Sequence, residues 1–189
     1  MQISFEYNLH KSIAAMAYML ERLGRTEKVK LLKLLYLADR EHFIKTGVPI
    51  TGDRLFAMQW GPVPSCTLDA VGGALRPREV FKTIHTDDNW VMLRDKPDMS
   101  SLSPEELETL DEVVKEHGHK KRWTLVRETH RLPEYRECYV RGTSTPIPYE
   151  TIARVSGSEA RYRHGRAVIS ARTAAAMPCP FEAGSDADL

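Results

Sequence analysis

The sequence predicts a mainly α fold of the α+β class: a compact helical domain around one buried central helix, with a small antiparallel β-hairpin beside it. Three observations predict it. Leu31, Leu32, Leu34, Leu35, Tyr36, Leu37 and Ala38 lie at nearly consecutive positions, so the helix they form is apolar over most of its circumference and must be covered on several sides. Capping signals bracket further amphipathic segments before and after it. Two runs rich in β-branched and aromatic residues, 80–86 and 90–94, flank the turn-forming Asp87-Asp88-Asn89.

In chain order, the spacing of Ile13, Met16, Ala17, Leu20 and Leu23 predicts a helix over 9–23, laid by one face on the central helix and stopped by Gly24. The central helix covers 27–46, with Thr26 as N-cap, Gly47 as left-handed stop and Leu34, Leu35, Tyr36, Leu37 and Ala38 as core residues. Lys30, Lys33 and Arg40 fall close to one stripe of it. From 47 to 64, Gly47, Pro49, Gly52, Gly61, Pro62 and Pro64 punctuate the chain too densely for helix, leaving a short extended piece over 54–60. Ser65 then caps a short helix over 66–71, ended by Gly72-Gly73.

Past the hairpin, Ser103-Pro104-Glu105-Glu106 combines an N-cap, a first-turn proline and a capping-box glutamate. That helix buries Leu107, Leu110 and Val114 and ends at Gly118. A helix over 121–132 sets Trp123, Val126 and His130 on one face and stops before Pro133, and a short one over 148–155 buries Ile152 and Val155. Beyond Gly157 the chain is expected to become irregular. Residues 1–157 are read as the domain and 158–189 as a basic segment with a mobile tail, because the apolar residues from about 175 lack helical or strand spacing.

At 189 residues, with 42% hydrophobic and 28% charged, the chain is large enough for a core that needs no metal or disulfide staple. A net charge of +1 gives no overall attraction to nucleic acid or to an acidic membrane. Cys66, Cys138 and Cys179 are odd in number and widely spaced, which reads as reduced thiols. The N-terminus lacks the features of a secretion signal and the apolar run 13–20 is too short to span a bilayer, so a soluble cytoplasmic protein is expected.

The motifs of catalysis are absent: no nucleophile elbow, phosphate loop or dinucleotide fingerprint occurs. His117, His119 and His130 lack the spacing of a zinc site, and no metal, cofactor or catalytic residue is expected. Asp53, Arg54, Thr129 and His130 can be assembled on paper into an acid-base set, with a structural ion pair and a boundary histidine as the competing reading. Basic residues gather at Lys28, Lys30, Lys33 and Arg40, at Lys120, Lys121, Arg122, Arg127 and Arg131, and at Arg161, Arg163, Arg166 and Arg172. Acidic neighbours dilute each group, and no short turn after the central helix prepares a helix-turn-helix, so nucleic acid is not an expected partner. The most distinctive stretch is the proline- and glycine-rich loop that carries Trp60: it suits either protein recognition or a cover for the central helix.

Lys33-Leu34-Leu35-Tyr36-Leu37-Ala38-Asp39, Pro49-Ile50-Thr51-Gly52-Asp53 and Gly61-Pro62-Val63-Pro64-Ser65, at this separation, resemble the Panacea domain of SocA-like antitoxins. Leu125 with Thr129-His130, and Ile147-Pro148-Tyr149 with Ile152-Ala153, resemble the family's later blocks. Tyr135 stands where relatives often carry a tryptophan, and the resemblance leaves the chain after Gly157 uncovered. It implies a bacterial or phage antitoxin that binds a cognate protein toxin and, in the SocA branch, an adaptor presenting that toxin to the ClpX unfoldase of ClpXP. By the same resemblance Asp53, Trp60, Gly61, Pro62, Thr129 and His130, with the adjoining Arg54, form or support the partner-binding surface. A DNA-binding autoregulator of its own operon and an enzyme acting through Asp53 or His130 are the alternatives from other classes.

Overall fold

The computed structural model describes residues 5–72, 77–95 and 98–175. Its first half runs α1 (Leu9–Leu23), β1 (Thr26–Glu27), α2 (Lys28–Thr46), β2 (Leu55–Met58), β3 (Gly61–Pro64) and α3 (Ser65–Gly72). The middle adds α4 (Arg78–Thr83), β4 (Ile84–Asp87), β5 (Trp90–Leu93) and α5 (Pro104–His117). The last third consists of α6 (Arg122–Thr129), α7 (Pro133–Cys138), β6 (Thr145–Pro146), α8 (Tyr149–Ser156) and α9 (Glu159–Ala175).

Everything is arranged about α2. Leu31 through Asp39 are buried without a break, and the helix is touched by α1, α3, α5, α6, α8, α9, β1 and β3. Leu34, Leu35, Tyr36 and Ala38 have no exposed surface and Leu37 almost none. Gly47 closes α2 in the left-handed conformation, its N–H donating to the Phe43 carbonyl. Thr26, however, does not cap it. Thr26 is buried in β1 opposite Val91, and Glu27 takes the N-cap position without a side-chain bond. The helix start is instead pinned by strand pairing and by Lys28 N–H donating to the Asn89 carbonyl.

Two small antiparallel sheets flank this helix, one more than the single expected hairpin. In the first, β5 lies between β1 and β4; the expected strand over 80–86 is shortened, because Pro77 and the first-turn Glu79 start α4 and the strand begins only at Ile84. In the second, β2 lies between β3 and β6, so that Gly61-Pro62-Val63-Pro64, expected as loop, forms a strand paired with residues 55–58. The helix over 121–132 is also divided: it ends at Thr129, and Pro133 opens a separate α7 from its first turn. Helix α1 lies deeper than a one-face surface helix, with Ser12 to Leu20 all buried, since α4, α5 and β5 cover what α2 does not.

Helix α5 starts with the expected capping box of Ser103 and Glu106. Past Gly157 the expected irregular chain is instead α9, packed on α2 and α8. Tyr162 joins Phe5, Phe43 and Tyr149 in a cluster of rings, with Phe43 and Tyr162 centroids 5.6 Å apart and Phe5 and Tyr149 5.0 Å apart. Next to it α9 and the α2 stop meet backbone to backbone: a Cβ at Gly165 would lie 2.5 Å from the Gly47 carbonyl oxygen, and one at Gly47 2.0 Å from that of Arg161. The expected mobile tail falls on residues 176–189, outside the described residues.

The Gly47–Gly165 contact gives the first prediction. Helix propensity favours Gly165→Ala by about 1 kcal/mol, but overpacking typically costs about 1–3 kcal/mol and here the obstacle is backbone. Urea denaturation should show a net loss of stability, and amide exchange should accelerate in α9 ahead of α2. A more stable variant would mean that α9 does not dock on Gly47.

Candidate functional site

The polar residues of α2 reach into the loop that follows it. Asp39 has no exposed surface, and its carboxylate accepts from the Thr51 N–H at 2.8 Å and from the Thr51 hydroxyl. Burial pushes that carboxyl up to about 7, against the opposing effect of the Thr51 bonds. Two residues on, Asp53 is equally buried and serves a different helix: Oδ1 accepts from Cys66 N–H, and Oδ2 from Thr67 N–H and the Thr67 hydroxyl, at 2.6–2.8 Å. It is the N-terminal cap of α3, supplied from a distance. The Asp53 carbonyl accepts from the Tyr149 hydroxyl at 3.1 Å, which ties α8 to the same point.

Farther along, Lys33 is 3% exposed and donates from Nζ to the Pro62 carbonyl at 2.5 Å. No carboxylate pairs with it among the described residues, and burial pushes its ammonium down to about 7. Gly61 sits over this amine in the left-handed region, at φ +93°. A Cβ there would lie 2.8 Å from Thr129 Oγ1 and 3.1 Å from both Lys33 Nζ and His130 Cδ2, so glycine is required by conformation and by space together. Thr129 turns its hydroxyl inward onto the Leu125 and Val126 carbonyls. The His130 ring stacks on Tyr135 with centroids 4.7 Å apart, Tyr135 stacks in turn on Tyr139, and the Tyr135 hydroxyl donates to the Met58 carbonyl at 2.9 Å. Burial first, and the Lys33 charge second, hold the His130 imidazole below its usual range. Its Nε2 is buried without a hydrogen-bond partner.

Over this base lies an aromatic surface. The chain's three tryptophans are all partly exposed, Trp60 by 52%, Trp123 by 49% and Trp90 by 38%, where burial is the usual fate of the indole. Trp60, at the β2–β3 turn, meets Trp123 of α6 edge to face at 5.1 Å. The Arg122 guanidinium lies 4.7 Å from the Trp123 ring centre and pairs with Glu27 at 3.0 Å.

Of the residues marked in the sequence, the structure brings Gly61, Pro62, Thr129 and His130 together around Lys33, with Trp60 next to Gly61 and turned onto Trp123. Gly61, Pro62 and Thr129 are buried, Trp60 is exposed and His130 is intermediate. Asp53 and Arg54 lie elsewhere, lining an apolar groove of about 250 Å³ with Phe56, Ile147 and Tyr162; Arg54 points to solvent. Of Trp123, Val126 and His130, expected on one face of α6, only Val126 is buried; Leu125 and Thr129 are the other buried positions. Sequence reasoning missed Lys33 as an internal group and Glu134, which is fully buried and accepts from Tyr36 Oη at 2.9 Å and Arg40 Nε at 2.6 Å. The spacing of Lys33, Tyr36 and Arg40, one stripe of a helix otherwise wholly covered, was the available signal.

What the fold defines is an α+β body whose distinctive loop is folded down as the floor of an aromatic surface. No group of three metal-ligating side chains occurs among the described residues, Cys66 and Cys138 are free thiols, and no described helix is long and apolar enough to cross a membrane. The chain belongs to the antitoxin SocA-like, Panacea domain family, whose sequence profile matches residues 31–135, from α2 into α7. No curated protein and no solved structure matches the chain.

Two predictions test this assembly. Asp53→Ala removes the acceptor of two backbone N–H groups and a hydroxyl, and thermal or urea unfolding should show a loss of about 1.5–3 kcal/mol. For Lys33, the unfolded chain between pH 7 and about 10 binds a proton that the folded chain releases, so stability rises with pH through that window. Urea titrations from pH 7 to pH 9 should show this rise in the wild type and a flatter profile in Lys33→Met. The window stops there because burial holds the Tyr36 and Tyr149 hydroxyls protonated, which reverses the slope once unfolded tyrosines ionise.

Proposed function

We propose that the protein is the antitoxin of a toxin–antitoxin pair, and that it binds and neutralises its cognate protein toxin through the face carrying Trp60 and Trp123. The observation that carries this reading is the exposed edge-to-face pair seated on a floor whose backbone is fixed by Lys33 and Tyr135. Exposed indoles on a rigid base are the usual anchors of protein interfaces, because little ordering entropy is lost when a partner closes over them. The family membership supplies the kind of partner. The Gly61-Pro62 pair, buried as it is, acts by shaping this face; Asp53 acts at a distance by holding the loop to α3, and Arg54 lies beside Asp53 as an exposed charge. The chemistry is contact, not turnover.

In its fuller form the reading makes the protein an adaptor in the cytoplasm: it hands the bound toxin to the ClpX unfoldase of ClpXP, and the segment from Ser158 onward provides the second contact. The toxin encoded beside the gene is the reagent for the test. Co-expression with the wild type should restore growth, and Trp60→Ala/Trp123→Ala should lose both growth and co-purification of the toxin while keeping the wild-type unfolding midpoint. A toxin half-life shortened only when both this protein and ClpXP are present marks the adaptor; a toxin that persists but is harmless marks a blocking antitoxin. Protection by the double variant equal to that of the wild type would overturn the assignment of the face.

A further inference from the structure

The Trp60–Trp123 face continues past Arg122 into a second groove, of about 470 Å³, that reaches Trp90 on the other sheet. Its walls carry Arg25, Lys30, Lys120, Lys121 and Arg122 against a single carboxylate, Glu27, in a chain whose net charge is only +1. Trp90 and Trp123 therefore line one basic channel, and Trp60 adjoins it through its contact with Trp123. We propose that this channel docks an acidic, aliphatic segment of the protein partner, its carboxylates on Lys121, Arg122 and Arg25 and its apolar side chains on the indoles. The inference rests on the antitoxin reading and specifies the chemistry of the toxin's contact.

Charge selects an acidic occupant, and the geometry selects protein over nucleic acid. Base stacking needs an open ring face or a parallel slot. Here the Arg25 guanidinium lies 4.6 Å from the Trp90 ring centre, Arg122 lies over Trp123, and the Trp60 and Trp123 planes cross at 65°. One face each of Trp90 and Trp123 is thus already taken by a guanidinium, and the crossed Trp60 and Trp123 planes form a corner that suits leucine- or valine-sized groups. A phosphate backbone also requires a run of unshared cations. In the channel Arg25 already faces Asp87 at 3.8 Å, Arg122 pairs with Glu27, Lys120 pairs with Glu128 at 2.9 Å, and Lys30 donates to the Gly118 carbonyl. Lys121 is exposed and has no ion pair among the described residues, so it is the cation free to meet an incoming carboxylate first. One carboxylate on Lys121, with a second sharing Arg122 beside Glu27 or Arg25 beside Asp87, fits this pattern, whereas a polyanion does not.

The test uses the full chain and three fluorescein-labelled probes: a short peptide alternating Asp or Glu with Leu, its Asn/Gln counterpart, and a single-stranded RNA of the same net charge as the acidic peptide. The acidic peptide should bind by anisotropy, shift the tryptophan emission to the blue, and weaken as salt rises. Binding should fall about tenfold in Trp90→Ala/Lys121→Glu, a loss equivalent to about 1.4 kcal/mol, and the Asn/Gln peptide should bind at least as weakly to the wild type. Equal or tighter binding of the RNA, or an acidic peptide that binds wild type and double variant alike, overturns the proposal. The toxin co-expression keeps the two readings apart. A wild type that fails to protect cells while the peptide binds as expected overturns the antitoxin reading and sustains the channel. Protection by wild type and double variant alike, with no peptide binding, overturns the channel alone.

Discussion

A helix covered on every side leaves its polar groups no water to turn to, and each must find a partner in whatever covers it. Helix α2 is under that constraint along its middle, and the later chain is arranged to meet it. Lys30 is answered by the Gly118 carbonyl at the end of α5, Lys33 by the Pro62 carbonyl, Tyr36 and Arg40 by Glu134 of α7, and Asp39 by Thr51. These bonds do little for net stability, since burying charge costs about as much as pairing it returns. Their effect is on position. A hydrophobic cover could slide by a residue, whereas a buried ammonium with one carbonyl in reach fixes the strand that carries the carbonyl.

The aromatic surface is downstream of that fixing. Trp60 stands at a turn whose next two residues are Gly61, held against Lys33, Thr129 and His130, and Pro62, bonded to Lys33. The orientation of the indole is thus set from inside the molecule by a residue with almost no surface of its own. Packing of α6 and α7 against the same floor brings Trp123 to it and stacks Tyr135 beneath through His130. Recognition and folding share residues here, so a buried motif position and an exposed one carry different parts of the same task.

The central helix, the first helix, the capping box of α5 and the β4–β5 hairpin were legible in the sequence because each rests on a local signal: an apolar run, a three-to-four spacing, Ser103 with Glu106, or a turn at Asp88-Asn89. The second sheet was not, since two of the four residues of β3 are proline and local propensity argues against a strand. Helix α9 was obscured by Gly165 and a run of arginines, although Tyr162, Gly165, Arg166 and Ile169 lie at the spacing of a narrow inward stripe. For the surface, the motif residues Gly61-Pro62 and Thr129-His130, far apart in the chain, are brought together by the fold. Which members face solvent depended on tertiary contacts with Lys33 that residue type does not reveal.

The prolines of β3 bear on one further property. Opposite β2, Phe56 faces Val63 and Met58 faces Gly61, so Val63 and Gly61 turn their N–H groups toward β2, while Pro62 and Pro64 turn their backbone outward. At both outward positions the donor is missing, and the Pro62 carbonyl is already occupied by Lys33. The β3 margin of this sheet, buried against α2 and α6, therefore has no outward N–H to offer a stray strand. Along β3, edge-to-edge association between copies is disfavoured, and side chains, not backbone, are the means by which this part of the molecule meets anything else.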